Sequence, residues 1–341
     1  MNTYEGKINN LFIYWLSISL ILVFLIIIIG GLTRLTNSGL SIIEWELFSG
    51  ILPPLNEITW QNYFNKYKTI PQYKILNYDM ELNEFKTIFY WEYFHRILAR
   101  IIGLFFLIPL IYFYFTRKIN INYIRSCFII SFLIIFQGCI GWYMVKSGLV
   151  NDTTVSHYRL ALHLFIAILI ASSIFWLIRN IYSNKNKTFF RLSKNYFPFQ
   201  FLLIIIFLQI IIGAFVSGLD AGMIYQTWPL MGNSFLPNDL NLLEFYNFFE
   251  LESHSLVQFY HRNIAYFIVL YSLFLTILIY KKKNKTLYKP LFFLLTILII
   301  QVVLGITTLI SGLNIYLASA HQVAGVLLVL SALNLYYLNA K

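Results

Sequence analysis

Eight predominantly apolar runs of roughly 20 residues constrain this sequence most, because that length is enough for a helix to cross the hydrocarbon core of a bilayer. They fall at about 11–31, 90–115, 123–145, 158–179, 198–217, 257–280, 288–311 and 317–338. Inside lipid every backbone polar group needs a partner within the protein, so single spans of this kind must be helical. The sequence therefore predicts an all-α membrane protein with eight transmembrane helices. With 59% hydrophobic and only 11% charged residues, it cannot clothe a soluble domain. The first run follows a short, weakly charged N-terminus and is followed by no small-residue cleavage site. It is expected to be a retained helix, with no Arg-rich transit segment before it.

A net charge of +11 would suggest nucleic acid if the charge were clustered on one face. It is instead sorted by loop. Arg117, Lys118 and Arg125, then Arg179, Lys185, Lys187, Arg191 and Lys194, then Lys281, Lys282, Lys283, Lys285 and Lys289 fall on alternate loops without an acid among them. Asp220, Asp239, Glu244, Glu250 and Glu252 lie on an opposite loop. The positive-inside rule makes the basic loops and both termini cytoplasmic. The excess charge is topological, and no nucleic-acid partner is implied. Cys127 and Cys139, twelve positions apart on one expected helix, are too far apart to bridge each other.

Within this frame a short polar string occurs twice, Glu92-Tyr-Phe-His-Arg96 and Gln258-Phe-Tyr-His-Arg262, each opening an apolar run at the expected water edge. A second histidine follows in a later run, His163 and His321 respectively. Ionisable residues in membrane spans are costly and are functional candidates by default. The surrounding sequence also repeats. Asn37-Ser-Gly-Leu40 matches Asp220-Ala-Gly-Met223 and Trp45 matches Trp228 at a shift of 183. His95-Arg96 matches His261-Arg262 at 166, Gln137, Gly141 and Ser147-Gly-Leu149 match Gln301, Gly305 and Ser311-Gly-Leu313 at 164, and His163 matches His321 at 158. The shift falls only where loops shorten, which predicts a duplicated four-helix unit. Four helices return the chain to its starting side, so the two units are expected to be parallel pseudo-repeated bundles, 1–190 and 191–341, with both histidine pairs at the outer face.

A bundle of membrane helices offers a slot in which two neutral imidazoles can take both axial positions of a flat apolar macrocycle, so each pair is expected to hold a haem. Arg34, Arg96, Arg100, Arg159 and Arg262 are candidates to pair with propionates at the water edge. A zinc or copper site would want more ligands in each half. Histidines that merely bridge helices by hydrogen bonds are the bland alternative. Glu92 and His95 lie three apart and share a helix face, whereas the second half has Gln258 at the equivalent place. A haem that only shuttles electrons needs no base, so proton-coupled chemistry is expected in the first half and a permanent haem in the second. His157, six positions before His163, points elsewhere on the helix and is expected at the water edge. Trp60, Tyr63, Phe64 and Tyr67 recur at helical spacing in the first long outer loop and predict an interfacial helix lying on the membrane.

Thr33-Arg-Leu-Thr-Asn-Ser-Gly-Leu40, the two histidine strings, Gly141-Trp-Tyr-Met-Val-Lys-Ser-Gly148, Tyr158-Arg-Leu-Ala-Leu-His163, Gly218-Leu-Asp-Ala-Gly222 and Ala320-His-Gln322 together resemble the haem A synthase family, in its mitochondrial and alphaproteobacterial (type 2) branch. The resemblance runs over nearly the whole chain. It implies an oxidoreductase that turns the methyl group on one pyrrole ring of haem O into a formyl group by two successive hydroxylations, giving haem A for terminal cytochrome c oxidase. It also implies a b-type haem on the iron ligands His261 and His321, with Arg262 beside it. His95 and His163 would hold the haem O substrate, with Glu92 as catalytic acid or base. Another branch carries a cysteine pair in outer loops, which is missing here.

Haem O synthase and the cytochrome oxidase assembly apparatus are the implied partners. A separate electron-transfer partner is also implied, since no flavin, nicotinamide or iron–sulfur motif is present. A homo-oligomer is compatible with the reading. Heavy use of Ile, Asn, Lys, Phe and Tyr suggests an AT-rich genome and favours a bacterial inner membrane over a mitochondrial one. Two other classes stay open: a dihaem electron-transfer protein, which would usually place two ligands about four turns apart on one helix, and a repeat-built transporter, which would break its helices near the midplane.

Overall fold

The structure, a computed structural model, describes residues 10–45, 49–149, 153–189, 193–239 and 249–340. Arg191 and Glu244, and the expected boundary between halves at 190 and 191, lie outside those residues. The described chain is helical, with no strand: α1 (Asn10–Leu35), α2 (Glu57–Tyr67), α3 (Pro71–Leu76), α4 (Leu82–Thr116), α5 (Ile121–Gly148), α6 (His157–Tyr182), α7 (Phe197–Gly218), α8 (His254–Lys281), α9 (Tyr288–Ile310) and α10 (Ile315–Asn339). Eight of these, all but α2 and α3, are long and apolar enough to cross a membrane. They coincide with the eight predicted runs and make this a multi-pass membrane protein.

Packing divides the spans into an inner and an outer set. α1, α4, α5 and α6 contact one another in a ring, as do α7, α8, α9 and α10, and the rings meet where α6 packs on α7 and α10 packs on α1 and α6. Burial follows the same division: 56% and 50% of the apolar windows of α6 and α7 are buried, against 11% for α9, which leaves the outer helices to lipid. Lipid supplies no hydrophobic force between helices, so close packing and hydrogen bonds must hold them. Trp15 of α1 illustrates both. Its ring lies against Phe106 and Phe113 of α4. Its Nε1 donates to the Phe105 carbonyl at 2.9 Å. That carbonyl lies four residues before Pro109, which has no N–H to offer it, so α1 supplies the donor that proline removes.

Two outer-loop expectations change. α4 begins at Leu82 rather than near 90, so Glu92 lies about three turns into the helix instead of at its start. The aromatic stripe of α2 is covered by protein, not lipid. Trp60, Phe64 and Tyr67 are buried, and they pack on Phe85 and Phe89 in the N-terminal extension of α4. An amphipathic face looks the same from sequence whether a bilayer or a neighbouring helix covers it; here α4 projects far enough to do so. A capping box between Asn56 and Thr59 starts the helix.

The ends of α1 and α7 use the same turn. Asn37 and Asp220, equivalent at the shift of 183, both take left-handed backbone, with φ of 51° and 52°. Arg34 joins them: Nη1 donates to Asn37 Oδ1 at 2.8 Å, while Nη2 reaches Asp220 Oδ1 at 3.0 Å and the Ser217 carbonyl at 2.6 Å. A cation thus closes the C-terminal end of α7, where unpaired carbonyls carry partial negative charge.

Candidate functional site

Both predicted histidine pairs come together near the end of the bundle that carries the long loops. His95 of α4 faces His163 of α6 with ring centroids 6.5 Å apart and planes inclined by 61°. His261 of α8 faces His321 of α10 at 6.3 Å and 75°. Each ring is backed by a glycine on a neighbouring helix. A Cβ would lie 3.1 Å from His95 Nε2 at Gly30, 3.0 Å from His163 at Gly141, 2.9 Å from His261 at Gly213 and 2.8 Å from His321 at Gly305. A side chain at Gly213 or Gly305 would force a shift, and one at Gly30 or Gly141 would require the ring to give by a few tenths of an ångström. Gly213 follows from Gly30 by the shift of 183, a signal present in the sequence.

Glutamines bond at three of the four histidines, two of them to the histidine main chain. Gln137 Nε2 donates to the His163 carbonyl and Gln209 Nε2 to the His261 carbonyl, both at 2.9 Å. His321 Nδ1 lies 3.1 Å from the Gln301 carbonyl, so Nδ1 carries the proton and Nε2 keeps its lone pair. The Gln301 amide nitrogen lies 3.3 Å from that Nε2, as a donor to it would. Gln209 has no counterpart in the first half, where the shift of 183 gives Ile26, and the repeat therefore did not reveal it.

The donor set fits a planar macrocycle better than a bare ion. A ligating imidazole nitrogen sits roughly 2 Å from its metal, so two rings on opposite faces of one ion have centroids roughly 6 Å apart, as in both pairs. Among the described residues no third His, Cys, Asp or Glu joins either pair to complete a coordination shell. A haem brings its own equatorial donors and asks the protein for axial ligands alone.

Glu92 and the arginines have specific protein partners. Glu92 is buried, and its carboxylate accepts from the Ser41 hydroxyl at 2.7 Å, the Ile42 N–H at 2.8 Å, and Arg96 Nε and Nη2 at 3.0 and 2.6 Å. Arg96 also donates to the carbonyls of Ile42 and Glu44. In the second half Gln258 Nε2 and Arg262 Nη2 both donate to the Tyr225 carbonyl, at 3.0 and 2.9 Å, and Arg262 Nη1 reaches Leu230. Tyr225 is Ile42 moved by 183. The repeated string therefore fastens the repeated loop onto its histidine helix in both halves. The halves differ in that Glu92 meets a backbone N–H, where Gln258 meets a carbonyl. The Arg159 guanidinium stacks on Tyr143 and bonds to Ser147.

His157 corrects an expectation, since it is buried rather than at a water edge. It packs against Phe215, and a Cβ at Gly218 would lie 2.6 Å from its own Cβ, so it belongs to the seam between α6 and α7. Beside Arg96, a cleft of about 480 Å³ opens between Trp45 and the α5 residues Trp142 and Lys146. At the shift of 164 the second half has Ile306 and Ile310 in place of that tryptophan and lysine.

The sequence profile of the family described as cytochrome oxidase assembly protein matches residues 13–333. Similar curated proteins include a heme A synthase of Pelagibacter ubique, 47% identical over 327 residues that cover 96% of each chain. A heme A synthase of Rickettsia felis is 42% identical over 324 residues, covering 94% of this chain and 95% of that one. One of Flavobacterium psychrophilum is 42% identical over 325 residues, covering 93% and 94%.

Proposed function

The chain belongs to the cytochrome oxidase assembly protein family, and from that premise we propose that it is a haem A synthase, an oxidoreductase that converts haem O into haem A for the terminal oxidase. The observation that carries this reading is the two facing histidine pairs, 6.5 and 6.3 Å apart and each cleared by glycines. The relatives named heme A synthase cover the same stretch of chain.

The two pairs take different work. His95 and His163 hold the substrate in the first half, where Trp45 and Lys146 border an open cleft suited to a ligand that must enter and leave. His261 and His321 would hold a resident b-type haem in the second, where the Gln209 and Gln301 amides lie 3.4 and 3.3 Å from the ring Nε2 atoms. Held by those two histidines, the group would supply an electron relay for the first site. Glu92 handles protons at the first site, because oxidising a methyl to a formyl group releases protons with its four electrons, and the second half has only an amide in that position. Arg96 and Arg262 hold the loops that roof the sites. Two parallel repeats, 1–190 and 191–341, account for the matched glycines, histidines and left-handed turns. Positive-inside loops put both sites at the outer face of a bacterial inner membrane with both termini cytoplasmic. Electrons leave to a separate partner.

Expression in cells that make haem O but lack this activity tests the reading. Haem A should appear in extracted haem; haem O alone, with the protein present and folded, refutes it.

A further inference from the structure

Through two consecutive glycines α1 touches His95 of the first pair and Gln322, the chain neighbour of His321 in the second. Gly30 backs His95, as described. Gly31 faces Gln322, the residue after His321, so closely that a Cβ there would stand 1.7 Å from Gln322 Oε1 and 2.6 Å from its Cδ. The amide therefore lies directly on the α1 backbone, and its Nε2 donates to the Ile27 carbonyl one turn earlier at 2.9 Å. Between membrane helices such a donor finds either the neighbouring helix or nothing.

The equivalent junction between α6 and α7 is built differently. A shift of 183 takes Gly31 to Ala214, and a shift of 158 takes Gln322 back to Leu164. Ala214 and Leu164 pack in one apolar cluster with Ile212 and Phe215. The fold can thus close this kind of seam with an alanine and a leucine, and packing alone does not require an amide. The α1–α10 seam keeps a glycine and a glutamine one residue along α1 from the glycine that backs His95 and one residue along α10 from His321.

We propose that Gln322 is a positioning residue that couples the two sites: its bond to α1 fixes the rotation of α10, and so the His321 ring, against the glycine step that backs His95. A change at either end of the bond then registers at both pairs. This inference rests on reading the pairs as haem ligands. Its chemistry is mechanical, with no electron or proton carried by Gln322.

Full-length wild type, Gly31→Ala, Gln322→Leu and the double variant, purified from cells that make haem O, test it. Two properties are read: haem B, O and A content by extraction, and the low-spin signal of the oxidised protein in electron paramagnetic resonance, which follows the angle between axial imidazole planes. The Gln322→Leu protein should keep its haem B with a shifted low-spin signal, and should lose haem O plus haem A roughly threefold, the effect of one average interhelical hydrogen bond in a membrane. The double variant reproduces a junction that already packs in this fold, so it should be stably folded and show the same two changes. Wild-type signal and haem content in the double variant would reduce Gln322 to packing. A change confined to one pair would also refute coupling. Wild type lacking haem would instead remove the function reading beneath the proposal.

Discussion

Replacing Glu92 by glutamine separates a proton-handling role from a fastening one. The carboxylate accepts four bonds, two from Arg96 and two from the loop at Ser41 and Ile42. An amide satisfies them best with its oxygen toward Arg96 and its NH2 toward the loop. Ser41 can then rotate its hydroxyl and accept, but the Ile42 N–H is left facing another donor. A hydrogen bond to a charged group is worth about 1.5–3 kcal/mol. Losing one, with weaker attraction for Arg96, loosens the loop by about 2–3 kcal/mol. Loss of acid–base assistance would cost about 10²- to 10⁴-fold in rate whether or not the loop holds. The controls are Ser41→Ala, which removes one bond and leaves the carboxylate, and Arg96→Lys, which keeps the charge. Haem extracted from Glu92→Gln should be haem O or its hydroxylated intermediate with little haem A, while both controls still make haem A. If Ser41→Ala loses haem A as completely as Glu92→Gln, the carboxylate is a fastener and the proton role is wrong. Near-normal haem A in Glu92→Gln refutes both roles.

The other expectations are briefer. His261→Ala or His321→Ala should lose the b-haem difference spectrum together with much of the protein's stability, since a ligand that binds only the native state stabilises it. His95→Ala or His163→Ala should keep that spectrum and make no haem A. Gly305→Val should mimic His321→Ala, because its first added carbon already lies 2.8 Å from the ring, whereas Gly103→Val, where a Cβ meets open space, should be silent in the same spectrum. Trp15→Phe strands the Phe105 carbonyl and should cost about 0.6 kcal/mol, and at most about 1.7. Adding Pro109→Ala, which restores the helix's own donor, should recover that loss in a detergent melting series. Single cysteines at Asn238 and Lys283 should label with an impermeant reagent from opposite sides of the membrane; labelling from one side contradicts the orientation.

The spans were legible because a run of 20 apolar residues has few alternatives, and the facing of His95 on His163 and His261 on His321 was legible because the sequence repeats. Contacts that depend on how far one helix projects past another were not. The periodicity of the α2 stripe cannot say whether lipid or protein covers it, and the long start of α4 decides that question. Position was equally hidden for His157, whose neighbours Phe215 and Gly218 lie on another helix. That Glu92 differs in charge from Gln258 is legible in the sequence. That it meets the Ile42 N–H where Gln258 meets the Tyr225 carbonyl depends on loop backbone direction, which no residue type encodes. Gly213 and the Ile42–Tyr225 equivalence were within reach of the shift of 183.

Pyridine haemochrome analysis of the purified protein, with extraction to separate haem types, tests most directly the claim that two histidine pairs hold two different haems. Haem B together with haem O or haem A, in near-equal amounts, is the expected result. Haem B alone would make the protein an electron carrier, and a preparation without haem would contradict the account at its base.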